Sequence, residues 1–221
     1  MRVVIAGGHG KIGQLLGKAL AARGDTVIGI VRNPDYASDL AALGVDAAVI
    51  DLERATVAAV ADVLSGADAV VFAAGAGPGS SAARKDTVDR ASAVLLAEAA
   101  TAAGVRRYLL VSSMGVESVR GGATPSGVDD VFIAYLRAKL AAEEDVLARD
   151  TLDPTVLRPG SLTDEPGTGL VLLAPRVDRG AVPRADVAAV LVALLDERPA
   201  ARVLELISGP DSIAAALAKA R

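Results

Sequence analysis

The sequence predicts an α/β fold: a doubly wound parallel sheet with helices on both faces and a small, less regular C-terminal portion. Three observations predict it. Short apolar runs alternate with longer segments of helical character, the spacing of βαβ units. The strand runs, Val3-Val4-Ile5 for example, are apolar throughout instead of alternating, as burial on both faces requires. Helix-like segments close on glycines, among them Gly66 and Gly104, where a left-handed residue ends a helix.

Taken in order, the apolar segment 2–6 is the first strand and leads into glycines. Helical periodicity from Ile12 ends near Gly24. The β-branched run 27–31 is the second strand, and a helical stretch to Leu43 stops at Gly44. Segments 47–50, 69–73 and 107–111 supply the next three strands. Residues 129–149 read as a long helix, and Thr155-Val156-Leu157 as the strand after it. The Pro/Gly-rich stretch 159–169 reads as a loop, with room for two short strands in 169–183. Residues 186–195 are helical, 203–207 form a last strand, and 211–221 a terminal helix. No internal repeat or low-complexity linker breaks this order. The expectation is one domain, 1–221, in which about 159–183 is an irregular insertion on the substrate side.

The composition narrows the function. A chain of 221 residues, 52% of them hydrophobic, can build a core without staples, and the absence of cysteine excludes disulfides, thiolate metal sites and cysteine nucleophiles. No apolar run approaches the ~18–20 residues that cross a bilayer, and the chain starts on a strand-like segment without a signal-peptide pattern. A net charge of −4 argues against nucleic acid as a partner. The expectation is a cytoplasmic protein with a small-molecule substrate and no nucleic-acid or membrane partner. Aromatics at 2% and two methionines supply few interface anchors, which suits a monomer or small homo-oligomer.

After the first strand comes Gly7-Gly8-His9-Gly10-Lys11-Ile12-Gly13, which satisfies both Gly7-x-x-Gly10-x-x-Gly13 and Gly8-x-Gly10-x-x-Gly13. Glycines at these spacings permit a tight turn, let backbone approach a pyrophosphate, and let the next helix pack closely on the sheet. The helix N-terminus then offers N–H groups and a positive dipole end to the anion. His9, the only histidine, is read as a backbone contributor to this loop, without a metal or general-base role.

The second strand ends in Arg32, whose guanidinium suits a 2′-phosphate, where an acidic residue would instead take ribose hydroxyls. The expected cofactor is therefore NADP(H), with NAD(H) as the alternative. Asp51-Leu52 follows the third strand, placed for the adenine. Ala73-Ala74-Gly75 follows the fourth, small enough for backbone to lie against a cofactor. No metal site is expected.

Tyr135 and Lys139 stand four apart, on one face of the long helix. Ser112-Ser113 ends the fifth strand, at the carboxyl edge where such sheets build their sites. A serine hydroxyl there can bind a carbonyl, and a tyrosine beside an ammonium can give or take the proton that accompanies hydride transfer. The lysine can also hold the nicotinamide ribose.

With these motifs in order, and Leu157-Arg158-Pro159-Gly160 after them, the chain resembles the short-chain dehydrogenase/reductase superfamily. The loop spacing is similar to that of its extended and atypical branches. Closest are the small NAD(P)H-binding proteins: sugar-epimerase-like reductases, NmrA-like redox sensors and biliverdin/flavin reductases. The likeness covers nearly the whole chain, including Pro183-Arg184-Ala185-Asp186-Val187. It implies a Rossmann fold and a bound dinucleotide. Ser113, Tyr135 and Lys139 fall in the catalytic positions, with Ser112 as the neighbouring alternative to Ser113. Ser112, Lys139 and Pro159 also fall against the cofactor.

The C-terminal part is much shorter than in sugar-nucleotide epimerases, which argues against a nucleotide-sugar substrate. The Tyr-Lys pair, often lost in atypical members, is present and favours catalysis. The expected function is an NADP(H)-dependent oxidoreductase acting on a small carbonyl, quinone or flavin acceptor. The alternatives are an NADPH/NADP-sensing protein without turnover and an epimerase-like isomerase with tightly bound cofactor.

Overall fold

The computed structural model of the chain describes residues 1–77 and 79–220. Its elements run β1 (Arg2–Ala6), α1 (Lys11–Ala22), β2 (Thr26–Val31), α2 (Ala37–Ala41), β3 (Asp46–Val49), α3 (Val57–Leu64) and β4 (Ala69–Phe72). A continuous helical stretch follows: α4 (Ala82–Arg84), a π-helical segment (Lys85–Ala91) and α5 (Ser92–Ala102). Then come β5 (Arg107–Val111), a 3-10 turn (Val116–Gly122), α6 (Asp130–Ala148), β6 (Asp153–Pro159), β7 (Ser161–Thr163), β8 (Leu170–Ala174) and β9 (Ala181–Pro183). The described chain closes with α7 (Arg184–Asp196), β10 (Val203–Ser208), β11 (Asp211–Ser212) and α8 (Ile213–Lys219).

The main sheet has the order β11-β8-β10-β6-β5-β4-β1-β2-β3. From β3 to β10 all neighbours are parallel, as expected. The chain leaves β1 for β2 on one side and returns to β4 on the other. A crevice therefore opens between β1 and β4 at their carboxyl ends, the switch point where such sheets bind ligands.

Both faces of the sheet are covered, which explains the uninterrupted apolar strands. Along β1, Val3 and Ile5 enter a core with Leu16 and Leu20 of α1 and Leu191 and Leu194 of α7. Val4 and Ala6 enter the opposite core with Val60 of α3, Leu96 of α5 and Phe72. Each fully buried Leu or Ile contributes about 1.5–3 kcal/mol, so the two cores dominate the fold energy. Among the described residues no helix is long and apolar enough to cross a membrane.

The C-terminal portion differs from expectation in three ways. The 159–169 stretch, expected as loop, contains β7, which pairs in parallel with β9 as a small second sheet. The strand β8, with β9 one of the two short strands expected in 169–183, joins the main sheet antiparallel to β10, placing Leu173 opposite Leu206, so the sheet is not wholly parallel. Residues 211–212 form a short edge strand against β8 before the terminal helix begins. Arg221, the expected end of that helix, lies outside the described residues.

Two buried polar contacts fix this portion to the rest. The Asp186 carboxylate at the start of α7 accepts from Thr168 N at 3.0 Å and Gly169 N at 2.8 Å. Arg158, at the end of β6, donates to Glu143 of α6 at 2.5 Å and Glu117 at 2.7 Å. The motif arginine is therefore a strut between β6, α6 and the 3-10 turn.

Candidate functional site

The glycine loop is built so that side chains cannot fit. Gly7 has φ +84°, and a Cβ there would lie 2.7 Å from the Ala74 backbone. A Cβ on Gly8 would lie 2.6 Å from Gly29 Cα, and one on Gly13 would be driven into the Gly7 carbonyl oxygen. Gly10 is the N-cap of α1 and provides no side-chain cap, and the first turn carries no acidic residue. The N–H groups of that turn thus keep no intrahelical partner and stand at the positive end of the helix. This is a cradle for an anion, as a dinucleotide pyrophosphate requires. The Lys11 side chain lies elsewhere, at 2.5 Å from Asp164 in the segment after β7, which Arg184 also holds at 2.6 Å.

Beside the loop, a cleft of about 240 Å³ brings together Gly7, His9, Gly10, Arg32, Asp51 and Leu52, with Ala74 and Gly75 at its wall. His9 does more than contribute backbone: its ring stacks on Tyr36 at 3.6 Å, and its Nε2 lies 2.9 Å from Asp39. Asp51 accepts the Glu53 N–H at 3.1 Å, so it also shapes the turn after β3. Arg32 reaches toward Glu53, with Nη1 at 3.4 Å, and is more than half exposed.

Glu53 and Arg84 were not anticipated from sequence. Glu53 accepts from Thr87 Oγ1 at 2.6 Å and from Arg84 at 3.0 Å. The Thr87 hydroxyl, with the guanidiniums of Arg84 and Arg32, holds the carboxyl below the usual carboxylate range. Arg84 comes from α4, some thirty residues away, so no local spacing could have signalled the contact.

The larger cleft, about 1080 Å³, lies over the carboxyl ends of β4, β5 and β6. It gathers Ile12, Ala73, Ser112, Ser113, Tyr135, Lys139 and Pro159, the second half of the sequence-expected set. Gly8 and Gly13 line neither cleft, and their part is the close packing already described.

Tyr135 is half-buried, and its ring centroid lies 5.9 Å from Lys139 Nζ. The lysine is sealed from solvent. It donates to the Val111 carbonyl at 3.0 Å and the Ala74 carbonyl at 3.4 Å, tying α6 to the ends of β4 and β5. Its ion-pair partner is Asp89 of the π-helical segment, at 3.3 Å and fully buried. The second Asp89 oxygen accepts the Ala76 N–H at 3.1 Å. Asp89 was also missed from sequence, although π turns of this kind often mark functional sites.

The two serines differ. Ser112 Oγ is buried without a hydrogen-bond partner among the described residues, an orphan at the cleft wall. Ser113 is half-buried and donates to the neighbouring Met114 carbonyl at 3.1 Å. The glycine cradle, the uncapped helix end and the orphan hydroxyl all fit a dinucleotide laid from the small cleft to the large one.

Comparison with known proteins agrees. A family model described as NAD(P)H-binding matches residues 7–198. The Bacillus subtilis protein YhfK, named an uncharacterized sugar epimerase, is 33% identical over 99% of this chain and 100% of its own. A Bacillus halodurans structure named for NAD-dependent epimerase/dehydratase is 31% identical with a TM-score of 0.86, covering 99% of both chains. The anaerobilin reductase ChuY of Escherichia coli O157:H7 is 26% identical with a TM-score of 0.78, covering 94% of this chain and 97% of its own. The chain belongs to the NAD(P)H-binding family, within the atypical short-chain dehydrogenase/reductase superfamily.

Proposed function

We propose that the protein is an NADP(H)-dependent reductase of a small carbonyl acceptor. The observation that carries the proposal is a Tyr135 hydroxyl without a hydrogen-bond partner among the described residues, in a cleft that shares Ala74 and Gly75 with the cleft at the glycine loop, beside the buried Lys139 ammonium. When bound, the nicotinamide supplies a hydride to the acceptor carbon. The chain supplies the rest.

The N–H groups at the start of α1 hold the pyrophosphate, and Arg32 takes the 2′-phosphate. Ser113 donates a hydrogen bond to the acceptor oxygen. Tyr135 gives that oxygen its proton, and the ammonium beside it stabilises the phenolate that remains. The contacts of Lys139 to the ends of β4 and β5 hold the ribose side of the cleft in place. The NAD(P)H-binding family and the reductase name of ChuY support this reading.

The test is an NADPH-oxidation screen over aldehydes, quinones and flavins, run beside Tyr135→Phe. Turnover that falls at least a hundredfold in the variant, with NADPH binding kept, supports the reductase. The epimerase names of two relatives favour a second reading, a non-consuming isomerase. It requires cofactor that co-purifies and no net NADPH oxidation with any acceptor. Binding without either behaviour would leave a sensor.

A further inference from the structure

Lys85 opens the π-helical segment, and its side chain is a buried cation that, unlike Lys139 and Arg158, has no carboxylate partner among the described residues. The Lys139 ammonium has Asp89, and the Arg158 guanidinium has Glu143 and Glu117. Arg107, which lines neither cleft, donates to the Asp153 and Leu194 carbonyls and to Thr155 Oγ1, and its Nε has no partner among the described residues. Lys85, only 9% exposed, donates to the Gly77 carbonyl at 2.7 Å and lies 5.4 Å over the Tyr135 ring. No carboxylate stands within ion-pair distance of it among the described residues.

Its place gives this imbalance a meaning. Lys85 lines the larger cleft and flanks the same tyrosine as Lys139. The acidic residues of that cleft are already committed. Asp89 faces Lys139 Nζ at 3.3 Å, an ion pair without a hydrogen bond at that oxygen among the described residues, and accepts the Ala76 N–H with its other oxygen, while Asp129 caps α6 through the N–H groups of Val131 and Phe132. Arg184 at the rim is held by Asp164, whereas Arg179, also at the rim, has no carboxylate partner among the described residues. Among the described residues the cleft thus presents two cations without a carboxylate partner, Lys85 deep and Arg179 at the mouth, and no carboxylate free of a charged or N–H partner. Burying an ammonium without a counter-charge is costly, and a ligand that supplies one recovers that cost on binding.

We infer that Lys85 is the carboxylate-binding residue of the substrate site, and that the acceptor is an organic carboxylate. The inference rests on the proposed reductase reading for the word acceptor, but the anion site itself does not. Arg179 draws the anion in at the rim, and Lys85 fixes it beside Tyr135.

The test uses the whole protein loaded with NADP⁺ and titrated calorimetrically with benzoate and, separately, benzamide. Benzoate is expected to bind at least tenfold more tightly. In Lys85→Met the two become equal, while Lys85→Arg keeps the preference and the NADPH dissociation constant of both variants is unchanged. Arg179→Ala, in an exposed loop where folding is not at stake, weakens benzoate by about threefold. Equal binding of the two probes by the wild type overturns the inference. So does unaltered benzoate binding in Lys85→Met, or a tenfold loss of NADPH binding there, which would give Lys85 to the cofactor. Alongside, kcat/KM is measured for 4-carboxybenzaldehyde and its methyl ester. Lys85-dependent benzoate binding with turnover of neither aldehyde keeps the anion site and removes the reductase. Turnover of both at equal kcat/KM does the reverse.

Discussion

Lys139 Nζ lies 3.3 Å from Asp89 Oδ1, and the two side chains are 4% and 0% exposed. The pair joins α6 to the π-helical segment, with the ammonium 5.9 Å from the Tyr135 ring centroid. Breaking a buried pair from one side strands the other charge, which costs about 3–5 kcal/mol, far more than the pair itself contributes over an apolar replacement. Asp89→Asn and Lys139→Met should each lose stability of that order in urea unfolding. The double variant should lose clearly less than the two losses combined, because no charge is left stranded. Additive losses would show that the two residues act independently.

Arg32 and Glu53 make a second prediction. The guanidinium, 3.4 Å from the carboxylate, is only weakly engaged and free to turn to a stronger anion. A charge-assisted hydrogen bond is worth about 1.5–3 kcal/mol, so Arg32→Ala should weaken NADPH by roughly ten- to a hundredfold and leave NADH unmoved. Glu53→Gln removes a negative charge from the same place and should tighten NADPH several-fold. Fluorescence titration with both nucleotides checks the pair. An unchanged NADPH/NADH ratio in Arg32→Ala removes the assigned preference.

The legibility of the sequence follows from how far apart the interacting residues lie. β1 could be read because each of its residues answers to its own period: Val3 and Ile5 to one core, Val4 and Ala6 to the other. The glycine loop could be read because all its constraints fall within seven residues. Lys85 and Asp89 look like a solvated pair four apart on a helix. Their burial is decided by α6, fifty residues on, and nothing local signals it. Glu53 and Arg84 meet for the same kind of reason. A strand within 169–183 could be read, and the burial of β8 does alternate along Leu170–Ala174, but its antiparallel place between β10 and β11 is decided by residues thirty and more positions on, which nothing local signals.

Glu117 sets a pH dependence. The Arg120 guanidinium at 2.6 Å, with Arg158 at 2.7 Å, holds its carboxyl down at about 2, from an ordinary value of 4.5. A carboxyl whose folded pKa is depressed stabilises the fold above its unfolded pKa, and that stability is lost as pH falls toward the folded value. The loss therefore belongs between about pH 4.5 and 2. The side chain is half exposed, so solvent screening limits the effect to about 0.5–1 kcal/mol. Unfolding midpoints measured across that window should fall less steeply in Glu117→Gln than in the wild type. Identical slopes would mean the ion pairs with Arg120 and Arg158 add nothing.

Gly13 and Gly24 separate packing from cofactor binding. A methyl group on Gly13 meets the carbonyl oxygens of Gly7 and Gly8, both backbone, so relief requires the loop itself to move. Gly24 ends α1 with φ +90° and open space around its Cα. An alanine there meets only the left-handed strain of about 1–2 kcal/mol. Gly24→Ala should thus lower the melting temperature by a few degrees and leave the NADPH dissociation constant as it is. Gly13→Ala should weaken NADPH at least a hundredfold, because the cradle can no longer close around the anion, and circular dichroism should still show the helices and sheet. If Gly13→Ala binds NADPH like the wild type, the pyrophosphate does not rest on this loop.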